Sequence, residues 1–237
     1  MKKVEKDFRK RSYQLERIDT GDYTPAEYDR FLREIRVVNK LAGDIRALKR
    51  SLLRDVRRDG VKKFSVLDVG AGAGELLRVT ARFARRHGLE ADLYGLELHE
   101  RAARTLAAES KDLPEIKTIR GDVFALPFDD DSFDYALCSL FTHHFGDDEV
   151  VAIVREFARI ARRRIYVIDL HRHPTADLLY SLFCAAFRIS PLVREDGSLS
   201  IRRSFVAAEL EDFAARAGLE EFAVERHFPF RLVLSGR

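Results

Sequence analysis

Apolar residues recur at steps of three and four from Phe31 through Ile35, Val38, Leu41, Ile45, Leu48 and Leu52 to Val56, holding one helical face over about eight turns. Thr24-Pro25-Ala26-Glu27 starts that helix: Thr caps, Pro fills the first helical position and Glu reaches back from the third. Gly43 marks a bend. No Gly-, Pro- or Ser-rich linker follows, so residues 1–60 are expected to form a helical extension that packs on the main domain as a lid over its active site. After Gly60 the pattern changes to short β-branched or apolar runs separated by amphipathic stretches. Strands are predicted at Ser65–Val69, Asp92–Glu97, Ile116–Arg120, Phe133–Leu140, Ile165–Leu170, Glu220–His227 and Arg231–Leu234. Helices are predicted at Glu75–His87, Glu100–Glu109, Asp148–Ala161, Ala176–Phe187 and Ala207–Ala217. This alternation predicts an α/β fold, a doubly wound seven-stranded and mostly parallel sheet over residues 61–237. The stretch from Ser190 to Arg203, with Pro191 and Gly197, reads as a longer insertion lying over the site.

Composition narrows the class. With 46% hydrophobic and 34% charged residues the balance is globular, and no apolar run is long enough to cross a bilayer. The opening Met1-Lys2-Lys3-Val4-Glu5-Lys6-Asp7 runs into charge, so no secretory signal is expected and the cytoplasm is the expected location. Cys138 and Cys184 sit in apolar contexts and read as reduced core thiols. The net charge of +3 is too small to imply nucleic acid. Its distribution is uneven, because residues 1–63 carry 19 Lys or Arg against 11 Asp or Glu. Such a basic face either is simply solvated or meets RNA, an anionic membrane or an acidic substrate.

The chemistry gathers at predicted strand ends. Val66-Leu67-Asp68-Val69-Gly70-Ala71-Gly72-Ala73-Gly74-Glu75 is a buried strand, a tight glycine turn and a helix start. It lacks the Gly-Lys-Ser/Thr of a phosphate loop. Its third glycine also comes one residue early for the dinucleotide fingerprint, and Glu75 stands where that glycine belongs and would repel a pyrophosphate. Glu97 ends the second strand, where a carboxylate can accept both ribose hydroxyls of an adenosine. Gly121-Asp122-Val123 follows the third strand, where an acid can take the adenine amine and an apolar neighbour can pack on the ring.

Here the chain resembles class I methyltransferases, and within them the small-molecule group similar to the ubiquinone and menaquinone C-methyltransferases. The resemblance rests on Val66 to Gly74, Glu97, Gly121-Asp122, Leu126 to Asp134 and Ser139 to Phe145, within about Phe64 to Leu170. It implies S-adenosylmethionine as cofactor, with Gly70, Ala71, Gly72, Gly74, Glu97 and Asp122 binding it and Leu98 and Val123 as apolar neighbours. Asp68 would support the turn, and the backbone around Ser139 would approach the methionine part. The flanks, the N-terminal helix with Asp169 to Pro174, Asp196 to Phe205 and Phe228 to Arg231, look like a smaller bacterial group associated with polyketide-type lipid pathways. That likeness implies secondary metabolism and a phenolic, quinone-like or lipid-like acceptor.

Methyl transfer from a sulfonium needs orientation and exclusion of water, and a base only where the acceptor must lose a proton. The candidate bases are His143 and His144 after the fourth strand and His171 after the fifth, with His173 beside it. No metal is expected, although these histidines with Asp169 offer donors for one. Tyr13, Phe141, Phe145 and Tyr180 are candidates to line an aromatic or lipid-like acceptor pocket. Two other readings stand beside this one, an RNA methyltransferase and a non-catalytic binding module that retains the fold. Against the first, Ser139-Leu140-Phe141-Thr142 occupies the place where base-nitrogen enzymes carry an Asn/Asp-Pro-Pro-Tyr signature.

Overall fold

Strands that are apolar at almost every position need cover on both faces, and the central strands here obtain it. In the computed structural model, which describes residues 6–237, the order begins with α1 (Arg17–Thr20), α2 (Pro25–Leu41), α3 (Asp44–Arg50) and α4 (Leu52–Arg58). Then come β1 (Lys63–Val69), α5 (Glu75–His87), β2 (Glu90–Glu97), α6 (Glu100–Glu109), β3 (Ile116–Arg120) and β4 (Phe133–Ser139). They are followed by α7 (Asp147–Ile160), β5 (Ala161–Leu170), α8 (Pro174–Ala186), α9 (Pro191–Arg203), α10 (Ala207–Ala217), β6 (Phe222–His227) and β7 (Arg231–Gly236). Met1–Glu5, part of the opening read above for a targeting signal, lies outside the described residues, as does the side chain of Leu41.

The seven strands form one sheet in the order β3-β2-β1-β4-β5-β7-β6, and only β7 runs against the rest. Alternation along each central strand splits the core in two. Leu67, Val69, Ala136, Cys138, Ile165 and Val167 pack toward α7 and α10. Phe64, Val66, Tyr135, Leu137, Tyr166 and Ile168 pack toward α4 and α5. The order reverses between β1 and β4, so the crevice at their carboxyl ends is where a ligand is expected.

Two expectations need correction. The long N-terminal helix is three helices, because Gly43 at φ +99° lies so close to β6–β7 that a Cβ there would be 2.6 Å from Pro229 Cδ. A second break falls at Ser51, whose hydroxyl turns back onto the Ala47 carbonyl at 2.8 Å. Leu48, Leu52, Leu53 and Val56 beyond those breaks are fully or almost fully buried in the sheet's own core. The expected insertion at 190–203 is helix α9, with Pro191 at its first position. Gly197 is not a loop residue: a Cβ there would lie within 2.1 Å of the Tyr180 hydroxyl, so the glycine lets α8 and α9 pack. The capping box at Thr24 is present, with Thr24 N donating to Glu27 Oε2 at 2.8 Å and Glu27 N donating to Thr24 Oγ1 at 3.2 Å.

Candidate functional site

Strand β1 delivers Asp68 to the crevice, and the chain then turns sharply into α5. Gly70, at φ +67°, lies against Phe141, whose ring a Cβ would meet at 2.4 Å. Gly72, at φ +58°, has nothing within 4 Å of where its Cβ would stand, so its backbone faces open space. The Gly72 amide donates to the Glu97 carboxylate, which ties the turn to the end of β2. Burial raises the pKa of Glu97, and the Gly72 hydrogen bond acts in the opposite direction. Burial, with the Glu97 charge adding to it, raises the Asp68 pKa well above the usual carboxylate range.

Asp68 Oδ1 and Ser139 Oγ are buried and have no hydrogen-bond partner. Leaving such an atom unsatisfied costs about 1–3 kcal/mol, so a site that brings a donor recovers it. Both residues line a cavity of about 920 Å³ together with Gly70, Ala71 and Gly72. An adenosyl-amino-acid ligand fits this lining, a glycine cradle with the two unpartnered oxygens of Asp68 and Ser139, while Glu97 reaches the turn through the Gly72 amide and, like Asp122, is not among the residues that line the cavity. Gly74 is buried under the turn as the N-cap of α5. Asp122, after β3, accepts from the Phe124 amide at 3.0 Å, while Val123 is buried and Leu98 is exposed.

A second cavity of about 380 Å³ adjoins the first, sharing Ile18, Ile35 and Leu140 with it. Leu140 takes φ +51°, an unusual backbone for a leucine, at this junction. Phe31, Val38, Leu170, Leu179 and Phe183 make the wall apolar, and the polar groups include Glu16, His143, His144 and Ser200. His143 is buried, and its Nδ1–H donates to Asp169 Oδ1 at 2.7 Å. Burial pushes the Asp169 carboxyl up, but the His143 ring and the Thr142 hydroxyl, donating at 2.7 Å, hold it down at about 2. An ionised Asp169 fixes the proton on Nδ1 and leaves Nε2 as the lone-pair nitrogen.

His144 sits half-buried with Nδ1 3.4 Å from Asp19 Oδ2. Buried Arg203 binds the backbone of both histidines, donating to the His143 carbonyl at 3.1 Å and the His144 carbonyl at 2.7 Å. By contrast, His171 lines neither cavity: its amide donates to the Phe230 carbonyl, and burial lowers its pKa, helped by Arg226 and His173. His173 caps α8 by accepting from the Thr175 amide at 3.1 Å. Of the four candidate aromatics only Tyr180 lines the apolar cavity, because Tyr13 is exposed with its hydroxyl on Asp147, and Phe141 and Phe145 pack on each other.

Glu16, Asp19 and Arg203 were not singled out from sequence. Glu16 precedes α1 in a segment without periodicity, and the anchor that places it is remote: Asp196 accepts from the amides of Arg17 at 2.9 Å and Ile18 at 3.0 Å. Glu16, His143 and His144 offer donor atoms within 4.8 Å of one another, a set that could hold a divalent ion. Burial pushes Glu16 up to about 7, with Asp19 adding to it, against the opposing effects of His144, the Ser200 hydroxyl and Arg203. An acid raised on folding loses stability as pH climbs from its ordinary 4.5 through that value. Glu16→Gln is therefore expected to stabilise the chain little at pH 4 and by about 3 kcal/mol at pH 8. Denaturant melts at both pH values check this, and a gain at pH 4 equal to that at pH 8 would contradict it.

Residues 66–164 match a family described as a methyltransferase domain. An uncharacterized methyltransferase of Bacillus subtilis is 33% identical over 117 residues, 48% of this chain and 43% of that protein, so the chain aligns with under half of that relative. A 2-phytyl-1,4-naphthoquinone methyltransferase of Nostoc punctiforme is 28% identical over 183 residues, 70% of this chain and 74% of the relative. Among solved structures, magnesium protoporphyrin IX methyltransferase from Synechocystis, with bound SAH, has a TM-score of 0.61 at 17% identity, covering 92% of this chain and 97% of that one. A SAM-dependent methyltransferase from Aquifex aeolicus has a TM-score of 0.57 at 16% identity, covering 82% and 97%. At these identities the structural likeness is one of fold.

Proposed function

We propose that this chain is a class I S-adenosylmethionine-dependent methyltransferase and that it methylates an oxygen, or an activated carbon, of a small apolar acceptor. The observation that carries this reading is the Asp169–His143 pair opening into an apolar cavity that adjoins the glycine-turn cavity at Leu140. S-adenosylmethionine would supply a methyl group already activated on a sulfonium. The cofactor residues are Glu97 on the ribose hydroxyls, Asp122 on the adenine amine and the Gly70-Ala71-Gly72 backbone, with Asp68 and Ser139 offering their unpartnered oxygens. His143 takes the acceptor's proton at Nε2, and Asp169 stabilises the imidazolium so formed. The apolar walls exclude water and hold the acceptor against the junction.

An acceptor with one acidic hydroxyl or enol on an otherwise apolar body suits this cavity, which makes phenolic, quinone-like and polyketide or lipid-like compounds the substrate class. The quinone methyltransferase of Nostoc punctiforme among the relatives supports that choice. Catalysis is metal-free in this proposal. Arg203, 4.0 Å from Glu16 and 3.1 Å from Asp19, already places a positive charge at the acidic edge of the histidine pair.

The test is transfer of label from methyl-labelled S-adenosylmethionine to a panel of alkylphenols, quinols, polyketide lactones and RNA. Label is expected in an apolar hydroxyl or enol compound, with turnover unchanged after exhaustive chelation. Salt-dependent labelling of RNA would replace the reading, and activity lost on chelation and restored by a divalent ion would reject its metal-free half.

A further inference from the structure

Helix α8 presents solvent with a surface that a lone soluble helix avoids. Leu178, Leu179, Leu182 and, just beyond its end, Phe187 are between 51% and 62% exposed, and Phe228 beside the cavity is 71% exposed. The helix has one charged residue, Asp177, and that is buried, held by Lys6 at 2.8 Å and by Ser198. Clustered exposure of this kind marks an interaction surface. Its borders are basic. Arg46 lies over the Phe228 ring at 5.7 Å, exposed Arg188 follows Phe187, and Arg30 donates to the Arg188 carbonyl at 3.1 Å. The neighbouring acid, Glu34, is turned inward onto Arg30 and the Ser190 amide.

The face is also the cavity's mouth, because Leu179 and Phe228 are exposed and at the same time line the 380 Å³ cavity. We infer that the α8 face with Phe228 docks on an anionic lipid bilayer, apolar tips in the interface and arginines on the headgroups, so that the cavity opens into the apolar layer. Apolar burial and attraction of basic side chains to anionic lipid are the two forces that hold such a surface. A second copy of the chain fits less well: seated here it would seal the mouth through which an acceptor enters, and a two-fold pairing would oppose the arginine borders. The role of the mouth rests on the apolar-acceptor reading above. The docking does not.

The experiment is co-sedimentation of the full chain, without acceptor, with vesicles of phosphatidylcholine alone or mixed with phosphatidylglycerol. Binding to the anionic vesicles is expected to be at least about tenfold stronger and to fall with salt. Leu178→Glu with Leu182→Glu, neither of which lines the cavity, should weaken it by at least about tenfold. Arg188→Asn, chosen because Asn tolerates the φ of +51° there, should cost about fivefold. Calorimetric binding of S-adenosylmethionine is expected to survive in every variant, which shows that each folds. Equal or negligible sedimentation with both vesicles would overturn the proposal. So would a wild-type dimer in sedimentation velocity that the double variant dissolves, because the face would then belong to a second copy. Absent methyl transfer with intact vesicle binding would count against the acceptor reading alone.

Discussion

His143→Ala lowers turnover by about 10²–10⁴-fold while leaving cofactor affinity unchanged, the span typical of losing a general base. The acidic limb of the pH–rate profile should change with it. His144→Ala is expected to do less, because its ring meets Asp19 only through a 3.4 Å contact, against the 2.7 Å hydrogen bond from His143 to Asp169. His171→Ala should leave turnover alone, since His171 lines neither cavity. Asp169→Asn should approach the His143→Ala loss, because an amide can donate to Nδ1 and turn the imidazole to the wrong tautomer. It also carries a stability cost. Held below the ordinary carboxylate range by the His143 ring and the Thr142 hydroxyl, Asp169 stabilises the fold above its ordinary value of 3.8 and loses that stability as pH falls through the lowered one. Steady-state kinetics across pH on the four variants decide the matter, and full activity in His143→Ala would remove the base from the mechanism.

Glu97→Ala weakens S-adenosylmethionine binding by roughly 1.5–3 kcal/mol, about 10- to 150-fold, because the ribose hydroxyls lose a charged acceptor. Glu97 also receives the Gly72 amide, so alanine loosens the turn as well. Glu97→Gln separates the two effects: it keeps an acceptor for Gly72 but removes the charge, and should fall between wild type and alanine. Asp122→Ala is expected to cost less than Glu97→Ala, since Asp122 already spends one oxygen on the Phe124 amide. Calorimetric titration of each variant checks this, and unchanged affinity in Glu97→Ala would withdraw the ribose assignment.

The sheet was legible because its signals are local. Strands buried on both faces read as continuous apolar runs, and the turn after Asp68 needs its positive-φ glycines. The helix breaks at Gly43 and Ser51 were less so, since the apolar stripe continues in phase across both. What breaks the first is the approach of Pro229, 186 positions away in the chain. The apolar cavity was hardest to read. Glu16 reaches it from an aperiodic segment pinned by Asp196, and Arg203 fixes the histidine backbone from the far end of a helix that reads as an insertion. The choice between His143 and His171 likewise depends on which ring lines the cavity, a question of backbone path after β4 and β5 that residue spacing does not answer.

Calorimetric titration of the full chain with S-adenosylmethionine, followed by NADH in a separate run, decides whether the glycine-turn cavity belongs to S-adenosylmethionine. Saturable binding at one site per chain is expected for S-adenosylmethionine and no binding for NADH, whose pyrophosphate would meet Glu75. No heat from S-adenosylmethionine, or saturable binding of NADH in its place, would contradict that assignment.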